Sequence, residues 1–225
     1  MAKQSAARPL AAPLSSEGLY GRWAPLYDLI FDLPFHPGRS AAARAAAGAA
    51  GSAGDVLVVG VGTGLELGLL PKSLQVTGID LSARMLAIAR ERVARKALRQ
   101  VKSLLVMDAA ALDFPAGRFD VALAPYVMSV VPSPARALDE MWRVLRQGGE
   151  IVIVNHFSAE RGLRAQIERA MEQSASWLGW HPVFPYGAVG DWLKERDDAE
   201  LVERREVAPF RLFTLLRIRK QRKKT

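Results

Sequence analysis

The sequence predicts an α/β fold built on a doubly wound, mostly parallel sheet of seven strands, with the last strand antiparallel. Short apolar segments, typical of buried strands, alternate with longer segments of helical periodicity. The first of these strands ends in three glycines at alternate positions, Gly60, Gly62 and Gly64, before a helical pattern begins. The last two strand-like segments follow one another directly, so we expect them to be antiparallel neighbours.

The predicted strands share a high content of β-branched and other apolar residues. They are Val56–Val59, Val76–Ile79, Val101–Met107, Phe119–Ala124, Ile151–Asn155, Leu201–Val207 and Phe210–Ile218. The predicted helices have apolar residues at helical spacing. They are Ala41–Ala50, a helix starting at Glu66–Leu70, Ala83–Leu98 with Ser82 as N-cap, Ala135–Leu145 with Gly148 and Gly149 as C-cap, and Gly162–Leu178. Gly179–Tyr186 is expected to be irregular.

The first 35 residues are predicted to divide into two parts. Residues 1–18 are expected to be mobile because the first fifteen are rich in Ala, Pro and Ser. Residues 19–35 have one apolar face at helical spacing, and Pro34 and Pro37 are expected to end that helix. Three roles stay open for it: a helix packed on the core, a lid over a pocket, or a helix in a membrane interface. Residues 19–218 are expected to form a single domain.

Composition narrows the possible partners. The chain has 225 residues, a net charge of +8 and no cysteine, which excludes disulfides and thiolate sites and favours a cytoplasmic location. Residues 211–225 contain seven bases and no acid, so the rest of the chain is nearly neutral. Residues 219–225 therefore form a predicted basic tail, which is either a solubilising end or a contact with an anionic membrane surface. No nucleic-acid partner is expected, and the oligomeric state stays open.

The glycine segment predicts a site for an adenosine-containing cofactor. Glycine permits a sharp turn and a close ligand approach, and Asp80, twenty residues after Gly60, can bond ribose hydroxyls. The spacing G-x-G-x-G, with Leu65 next, differs from the dinucleotide fingerprint G-x-G-x-x-G/A. As alternatives, Asp80 is a helix-capping acid and Asp108 a turn former.

The pattern resembles the class I S-adenosylmethionine-dependent methyltransferases, with their Rossmann-like fold, over about residues 20–157. The resemblance implies S-adenosyl-L-methionine as cofactor and S-adenosyl-L-homocysteine as product. It implies that the glycine loop adjoins the methionine moiety, that Asp80 holds the ribose, and that Asp108 reaches the adenine. The implied cofactor-binding residues are Tyr20, Arg22, Gly60, Gly62, Thr63, Gly64, Asp80, Leu81, Met85, Asp108, Ala109, Pro125 and Tyr126. One residue departs from the pattern: Val58 stands where the family usually has an acid near the cofactor's ammonium group.

Tyr20–Asp28 resembles an N-terminal segment of several methyltransferase subfamilies, in which it forms a helix that closes over the cofactor. Three further segments narrow the resemblance to bacterial phosphatidylethanolamine N-methyltransferases of the membrane-associating type. They are Tyr126–Pro132, Val154–Phe157 and Trp177–Pro185. The resemblance implies three successive methyl transfers onto a phospholipid amine, giving phosphatidylcholine at the inner face of the membrane. No metal ion is expected.

The chemistry of that acceptor suggests residues for catalysis and substrate binding. A primary amine must lose a proton before it attacks a methyl group, and His156 is a candidate to receive it. Tyr27 is the second predicted catalytic residue. Aromatic rings hold quaternary ammonium ions, and a cation holds the lipid phosphate. The predicted substrate-binding residues are Tyr126, Arg164, His181 and Tyr186. For each of these residues a purely structural role stays open.

Three other functions are compatible with the sequence. The first is methyl transfer to another small lipophilic acceptor, such as a quinone precursor. The second is cofactor binding without catalysis, which Val58 makes conceivable. The third is RNA methylation using the basic tail, but the near-neutral body and the segment Ala124–Tyr126, which lacks an Asn-Pro-Pro-Tyr-like motif, argue against it.

Overall fold

A computed structural model of the protein describes residues 35–157, 186–208 and 211–221. Seven strands form one sheet in the order β3-β2-β1-β4-β5-β7-β6. They are β1 (Asp55–Val59), β2 (Gln75–Asp80), β3 (Val101–Val106), β4 (Phe119–Pro125), β5 (Leu145–Asn155), β6 (Ala199–Val207) and β7 (Phe213–Lys220). β7 is antiparallel to both of its neighbours, whereas the pairs among β1 to β5 are parallel. The predicted α/β class and the antiparallel last strand are confirmed.

Helices cover both faces of the sheet. In the described part of the chain they are α1 (residues 35–50), α2 (Ala83–Arg95), α3 (Pro134–Val144) and α4 (Gly187–Lys194). Side chains alternate along β1, so Leu57 and Val59 pack in the cluster that contains α3 and α4, while Val56 and Val58 pack in the cluster that contains α1 and α2. Helices on both faces make the sheet doubly wound. The parallel orientation of β1 to β5 brings their carboxyl ends to one edge of the sheet.

The predicted C-cap at Gly148 and Gly149 is wrong. Helix α3 ends at Val144, Leu145 is already extended, and both glycines lie within β5. Here the register between β4 and β5 shifts. Gly148 has φ +86°, and a Cβ on Gly149 would lie 2.7 Å from the carbonyl oxygen of Asp120. The glycines therefore serve an irregularity of the strand rather than a helix end.

The helix expected from Glu66 is only a short 3-10 turn, Leu67–Leu69. Leu70 is extended (φ −80°, ψ 137°), as expected for a residue that precedes a proline, here Pro71. The turn keeps the chain compact between β1 and β2. It also leaves Glu66 at the start of the turn, directly behind the glycine loop.

Two further differences concern helices. Pro37 lies inside α1, near the start of its described part, whereas the sequence predicted it to end a preceding helix. Helix α4 was missed because Gly187 and Gly190 lower its helix propensity. It forms because Val189 and Trp192 are buried against the core. The predicted segments 1–18, 19–34, Gly162–Leu178 and 179–185 lie outside the described residues.

Candidate functional site

The three glycines of the loop (residues 60–64) have positive φ angles for different reasons. A Cβ on Gly60 (φ +69°) would lie 2.4 Å from Cγ2 of Val127, and one on Gly64 (φ +76°) would lie 2.8 Å from Cδ1 of Leu67. A Cβ on Gly62 (φ +50°) would meet nothing within 4 Å. Gly60 and Gly64 are thus required by packing within the protein. Gly62 exposes its backbone to open space, as a ligand that contacts main-chain atoms requires.

Asp80 fixes this loop from the end of β2. Its Oδ2 accepts a hydrogen bond from the Gly62 amide (2.8 Å), and its Oδ1 accepts one from the Ser82 amide (2.8 Å). Ser82 in turn caps α2, because its Oγ accepts from the Met85 amide (3.3 Å), which confirms the predicted N-cap. An ionised carboxylate has about four acceptor positions, so Asp80 keeps capacity for two hydroxyl groups of a ligand.

Residues beside Asp80 form a partly apolar surface. Leu81 is 70% exposed, although a leucine of this size is ordinarily buried, while Met85 is half-buried. At the end of β3, Asp108 accepts a hydrogen bond from the Ala110 amide (2.8 Å), and Ala109 is buried. Asp108 therefore stabilises a turn, as its alternative interpretation predicted. Its other carboxylate oxygen, Oδ2, is the atom that is left for the predicted contact with the adenine amine.

Tyr126 follows β4 and has φ +60°, an unusual conformation for a residue other than glycine. Its hydroxyl donates to the Phe35 carbonyl (2.9 Å), and its ring contacts the rings of Phe35 and Phe213. Burial raises the pKa of this hydroxyl above its usual value. The residue before it, Pro125, is buried at the end of β4. Tyr126 thus ties α1 to the sheet, and its predicted contacts with cofactor and substrate stay predictions.

His156, directly after β5, is oriented by the start of β7. Its Nδ1 lies 2.8 Å from the carbonyl oxygen of Leu212. A carbonyl only accepts hydrogen bonds, so Nδ1 carries the proton and Nε2 is the basic nitrogen of the neutral ring. The ring also lies 6.5 Å from that of Phe213, which joins it to the aromatic group around Tyr126. The structure therefore gives His156 the tautomer that a proton acceptor needs.

Tyr186 lies at the start of α4, and one of its faces is occupied. The guanidinium carbon of Arg204 lies 3.7 Å from the ring centroid, and Phe157 contacts the ring edge-on. The contact with Arg204 competes with the predicted role of this ring in holding a quaternary ammonium ion. The other predicted residues, Tyr20, Arg22, Tyr27, Arg164 and His181, lie outside the described part of the chain.

Glu66 is a candidate that the sequence reasoning missed. It lies two residues after Gly64, is only 5% exposed, and its Oε1 has no hydrogen-bond partner among the described residues. Burial raises the pKa of this carboxyl to about 7, although a hydrogen bond from its own backbone and the charges of Arg39 and Arg92 act in the opposite direction. The available signal was an acid within the apolar sequence Leu65-Glu66-Leu67.

The valine at position 58 is completely buried. Its side chain belongs to the core cluster that also contains Leu67 and Leu123. Behind the loop, Arg92 donates from Nε to the carbonyl oxygen of Thr63 (2.8 Å), which joins α2 to the loop. Arg92 and Glu66 therefore bring charged side chains close to the loop, whereas the side chain at position 58 carries no charge.

These residues suit a nucleoside with a flat ring and a charged tail. The carboxyl ends of β1 to β3 bring together an open glycine, a carboxylate with spare acceptor positions and an exposed leucine. No group of three or more metal-ligating side chains was found among the residues that the structure describes. The predicted contacts of these residues with a cofactor stay predictions.

Comparisons with other proteins identify the family of this chain. The model of a methyltransferase domain family matches residues 57–153. A phosphatidylethanolamine N-methyltransferase of Cereibacter sphaeroides is 44% identical over 206 residues, which cover 90% of this chain and 96% of that protein. A 2-phytyl-1,4-naphtoquinone methyltransferase of Synechococcus elongatus is 35% identical and is matched over 64% of each chain. Among solved structures, a SAM-dependent methyltransferase from Aquifex aeolicus superposes with a TM-score of 0.64 at 18% identity, covering 88% of this chain and 97% of that one.

Proposed function

Because the chain belongs to the S-adenosylmethionine-dependent methyltransferases, we propose that it methylates the amine of phosphatidylethanolamine, in steps, to give phosphatidylcholine. The observation that carries this proposal is the likeness to the Cereibacter sphaeroides protein, which extends over 90% of this chain. The geometry of His156 supports an acceptor that must lose a proton. Methylation of a quinone precursor does not require a nitrogen atom to lose a proton. The 2-phytyl-1,4-naphtoquinone methyltransferase of Synechococcus elongatus also matches a smaller share of this chain.

In this proposal the cofactor lies across the carboxyl ends of β1 to β3. The Gly62 backbone and Thr63 adjoin its amino-acid end, Asp80 holds its ribose, and Leu81, Met85 and Asp108 adjoin its adenine. The bound cofactor supplies a methyl group on a positively charged sulfur, which an amine lone pair attacks in line. Most of the catalysis then comes from holding the two reactants in that geometry.

His156 is proposed to accept the proton of the ammonium group of the acceptor. The hydrogen bond to Leu212 keeps Nδ1 protonated and leaves Nε2 as the basic atom. A side chain at this position that cannot accept a proton should therefore lower kcat.

Access to a phospholipid requires a contact with the bilayer, and the start of β7 provides a suitable place. Leu212, whose carbonyl holds His156, is 39% exposed, and the exposed Arg211 precedes it. Among the described residues, no helix is long and apolar enough to cross a membrane. We therefore propose a peripheral contact, in which Leu212 enters the headgroup region and the three bases of residues 222–225 attract anionic lipid.

The decisive experiment measures transfer of radiolabelled methyl groups from S-adenosylmethionine into lipid. Vesicles of phosphatidylethanolamine with an anionic lipid are compared with vesicles that carry a demethylated quinone instead. Label in mono-, di- and trimethylated phospholipid supports the proposal. Label in the quinone alone, or none in either while calorimetry shows cofactor binding, would contradict it.

A second experiment tests the role of His156. In His156→Asn the side-chain amide can still donate to the Leu212 carbonyl, but it offers no basic nitrogen. We expect a fall in kcat of about 100-fold, typical of a lost general base. An unchanged kcat would show that the ring is structural.

A further inference from the structure

We propose that Glu66 binds the ammonium group at the amino-acid end of S-adenosylmethionine, an inference that rests on the proposed use of that cofactor. The residue lies between the glycine loop and the turn Leu67–Leu69, at the end of β1. It therefore adjoins the loop, and it lies close enough to Asp80 for the charge of Asp80 to act on its carboxyl. Its carboxylate would meet the positive charge at the end of the ligand opposite the adenine ring.

The environment of Glu66 shows that its carboxylate is incompletely satisfied. A buried carboxylate is costly unless other groups hydrogen-bond to it, and the great majority of buried polar atoms in proteins have such partners. Oε1 of Glu66 has none among the described residues. A donor brought by a ligand would complete this site, and an ammonium group supplies both a donor and the opposite charge.

The other acids near the loop are already engaged with backbone amides. Asp80 holds Gly62 and Ser82, and Asp108 holds Ala110. At position 58, on the strand that leads into the loop, the side chain is a buried valine. Within the described part of the chain, Glu66 is the acid that combines burial, proximity to the loop and an open acceptor.

The charged groups around Glu66 come from three elements. Arg39 on α1 and Arg92 on α2 favour its ionised form, whereas Asp80 at the end of β2 disfavours it. Burial keeps its pKa at about 7, so about half of the carboxyls carry a proton at that pH. An ammonium group that binds the ionised form would expel this proton. The competing explanation is that Glu66 serves only as a counter-ion for the two arginines.

Calorimetry with two ligands separates these explanations. S-adenosylhomocysteine carries the amino-acid end, and 5′-methylthioadenosine lacks it. We expect Glu66→Gln to weaken S-adenosylhomocysteine binding about 10- to 100-fold, the effect of one charge-assisted hydrogen bond, and to leave methylthioadenosine binding unchanged. In two buffers of different ionisation enthalpy at pH 7, the wild-type protein should release about half a proton more than Glu66→Gln on binding S-adenosylhomocysteine.

Two further variants control this experiment. Glu150→Gln alters a buried acid at the opposite end of the sheet and should not change the affinity for either ligand. Val58→Glu introduced into Glu66→Gln should restore part of the affinity, because it returns a carboxylate to the same core cluster. Should Glu66→Gln fold poorly, proton release by the wild-type protein, present with S-adenosylhomocysteine and absent with methylthioadenosine, still tests the inference.

The contrary outcomes are distinct. Equal weakening of both ligands in Glu66→Gln, or equal proton release with both by the wild-type protein, would overturn the inference and leave the proposed function intact. Failure of the folded wild-type protein to bind either ligand would overturn the proposed function, and the inference with it.

Discussion

The two ends of the sheet differ in how completely their polar groups are paired. At the amino ends of the parallel strands, Asp55 contacts Arg118 and Arg146, and Arg146 also contacts Asp120. Further along the same end, Glu150 lies between two arginines of β7, Arg217 and Arg219. At the carboxyl ends, the backbone adopts positive φ angles at Gly60, Gly62 and Tyr126, and Glu66 keeps an oxygen without a described partner.

This contrast indicates a division of labour within one sheet. Strained backbone and unpaired hydrogen-bond acceptors reduce the stability of the fold. They are found mainly at sites that bind a ligand. The paired charges at the other end hold β1, β4, β5 and β7 together without contributing to the site. The basic residues of β7 illustrate the point. Arg217 and Arg219 pair with acids, and Lys220 donates to the carbonyls of Trp142 and Leu145.

The strongest test of the contrast removes the acid at the centre of the paired end. Glu150 has only 4% of its side chain exposed, so Glu150→Ala would leave Arg217 and Arg219 without their shared partner. We expect a loss of about 3 to 4 kcal/mol in the free energy of unfolding, measured with urea, and unchanged affinity for S-adenosylhomocysteine. Glu200→Ala, at the exposed edge of the same network, should change stability little. A large loss of affinity for S-adenosylhomocysteine in Glu150→Ala would refute the conclusion that the two ends of the sheet have separate roles.

The two ends should respond to pH in opposite directions. The pKa of Glu66 is raised from 4.5 to about 7, so the folded state binds more protons and stability falls as pH rises through that window. Partial burial would raise the pKa of Asp55, but Arg118 and Arg146 outweigh it and lower the pKa. The contribution of Asp55 to the free energy of unfolding is therefore lost as the pH falls below the ordinary pKa of an aspartate.

Urea unfolding of wild-type protein and Glu66→Gln at pH 4.5 and 7 tests this expectation. From pH 4.5 to pH 7, the free energy of unfolding of the wild-type protein should fall by about 3 kcal/mol more than that of the variant. The cause is the raised pKa of the buried Glu66 carboxyl. Saturating S-adenosylhomocysteine should remove most of the difference, because it stabilises the ionised carboxylate. Identical pH dependence in the two proteins would show that Glu66 does not titrate in this window.

Within the site, two glycines of the loop distinguish packing from ligand contact. Gly60→Ala adds a Cβ that collides with Val127, whereas Gly62→Ala adds one in open space. Both variants should lose about 1 to 2 kcal/mol from the positive φ, and Gly60→Ala more from the collision. Gly62→Ala should also weaken S-adenosylhomocysteine binding at least tenfold, measured by calorimetry. Unaltered binding in Gly62→Ala would place the ligand elsewhere.

The smallest expected effect concerns Tyr126. Removing its hydroxyl in Tyr126→Phe deletes the hydrogen bond to Phe35 and should cost about 1 kcal/mol of stability. If this contact is the only role of the hydroxyl, kcat and KM should stay within twofold of the wild-type values. A loss of activity much larger than the loss of stability would assign the hydroxyl to the substrate instead.

The sequence predicted the fold class, all seven strands and the loop because these depend on local patterns. Periodicity places Val56–Val59 in a buried strand, and G-x-G-x-G defines the turn after it. Gly148 and Gly149 were assigned wrongly because their role depends on the register between β4 and β5, which local sequence does not encode. Glu66 was missed for a similar reason. Its burial and its open oxygen arise only when α1, α2 and the loop pack together.

The position of β7 between β5 and β6 has a consequence for the order in which the molecule can form. β5 gains its second neighbour only from residues 213–220, so during synthesis one edge of this largely buried strand lacks its partner until those residues have been made. An open apolar strand edge is a template for pairing with other chains. The hairpin of β6 and β7 therefore protects nascent copies of the protein from one another, and it does so only after the other five strands of the sheet have been made.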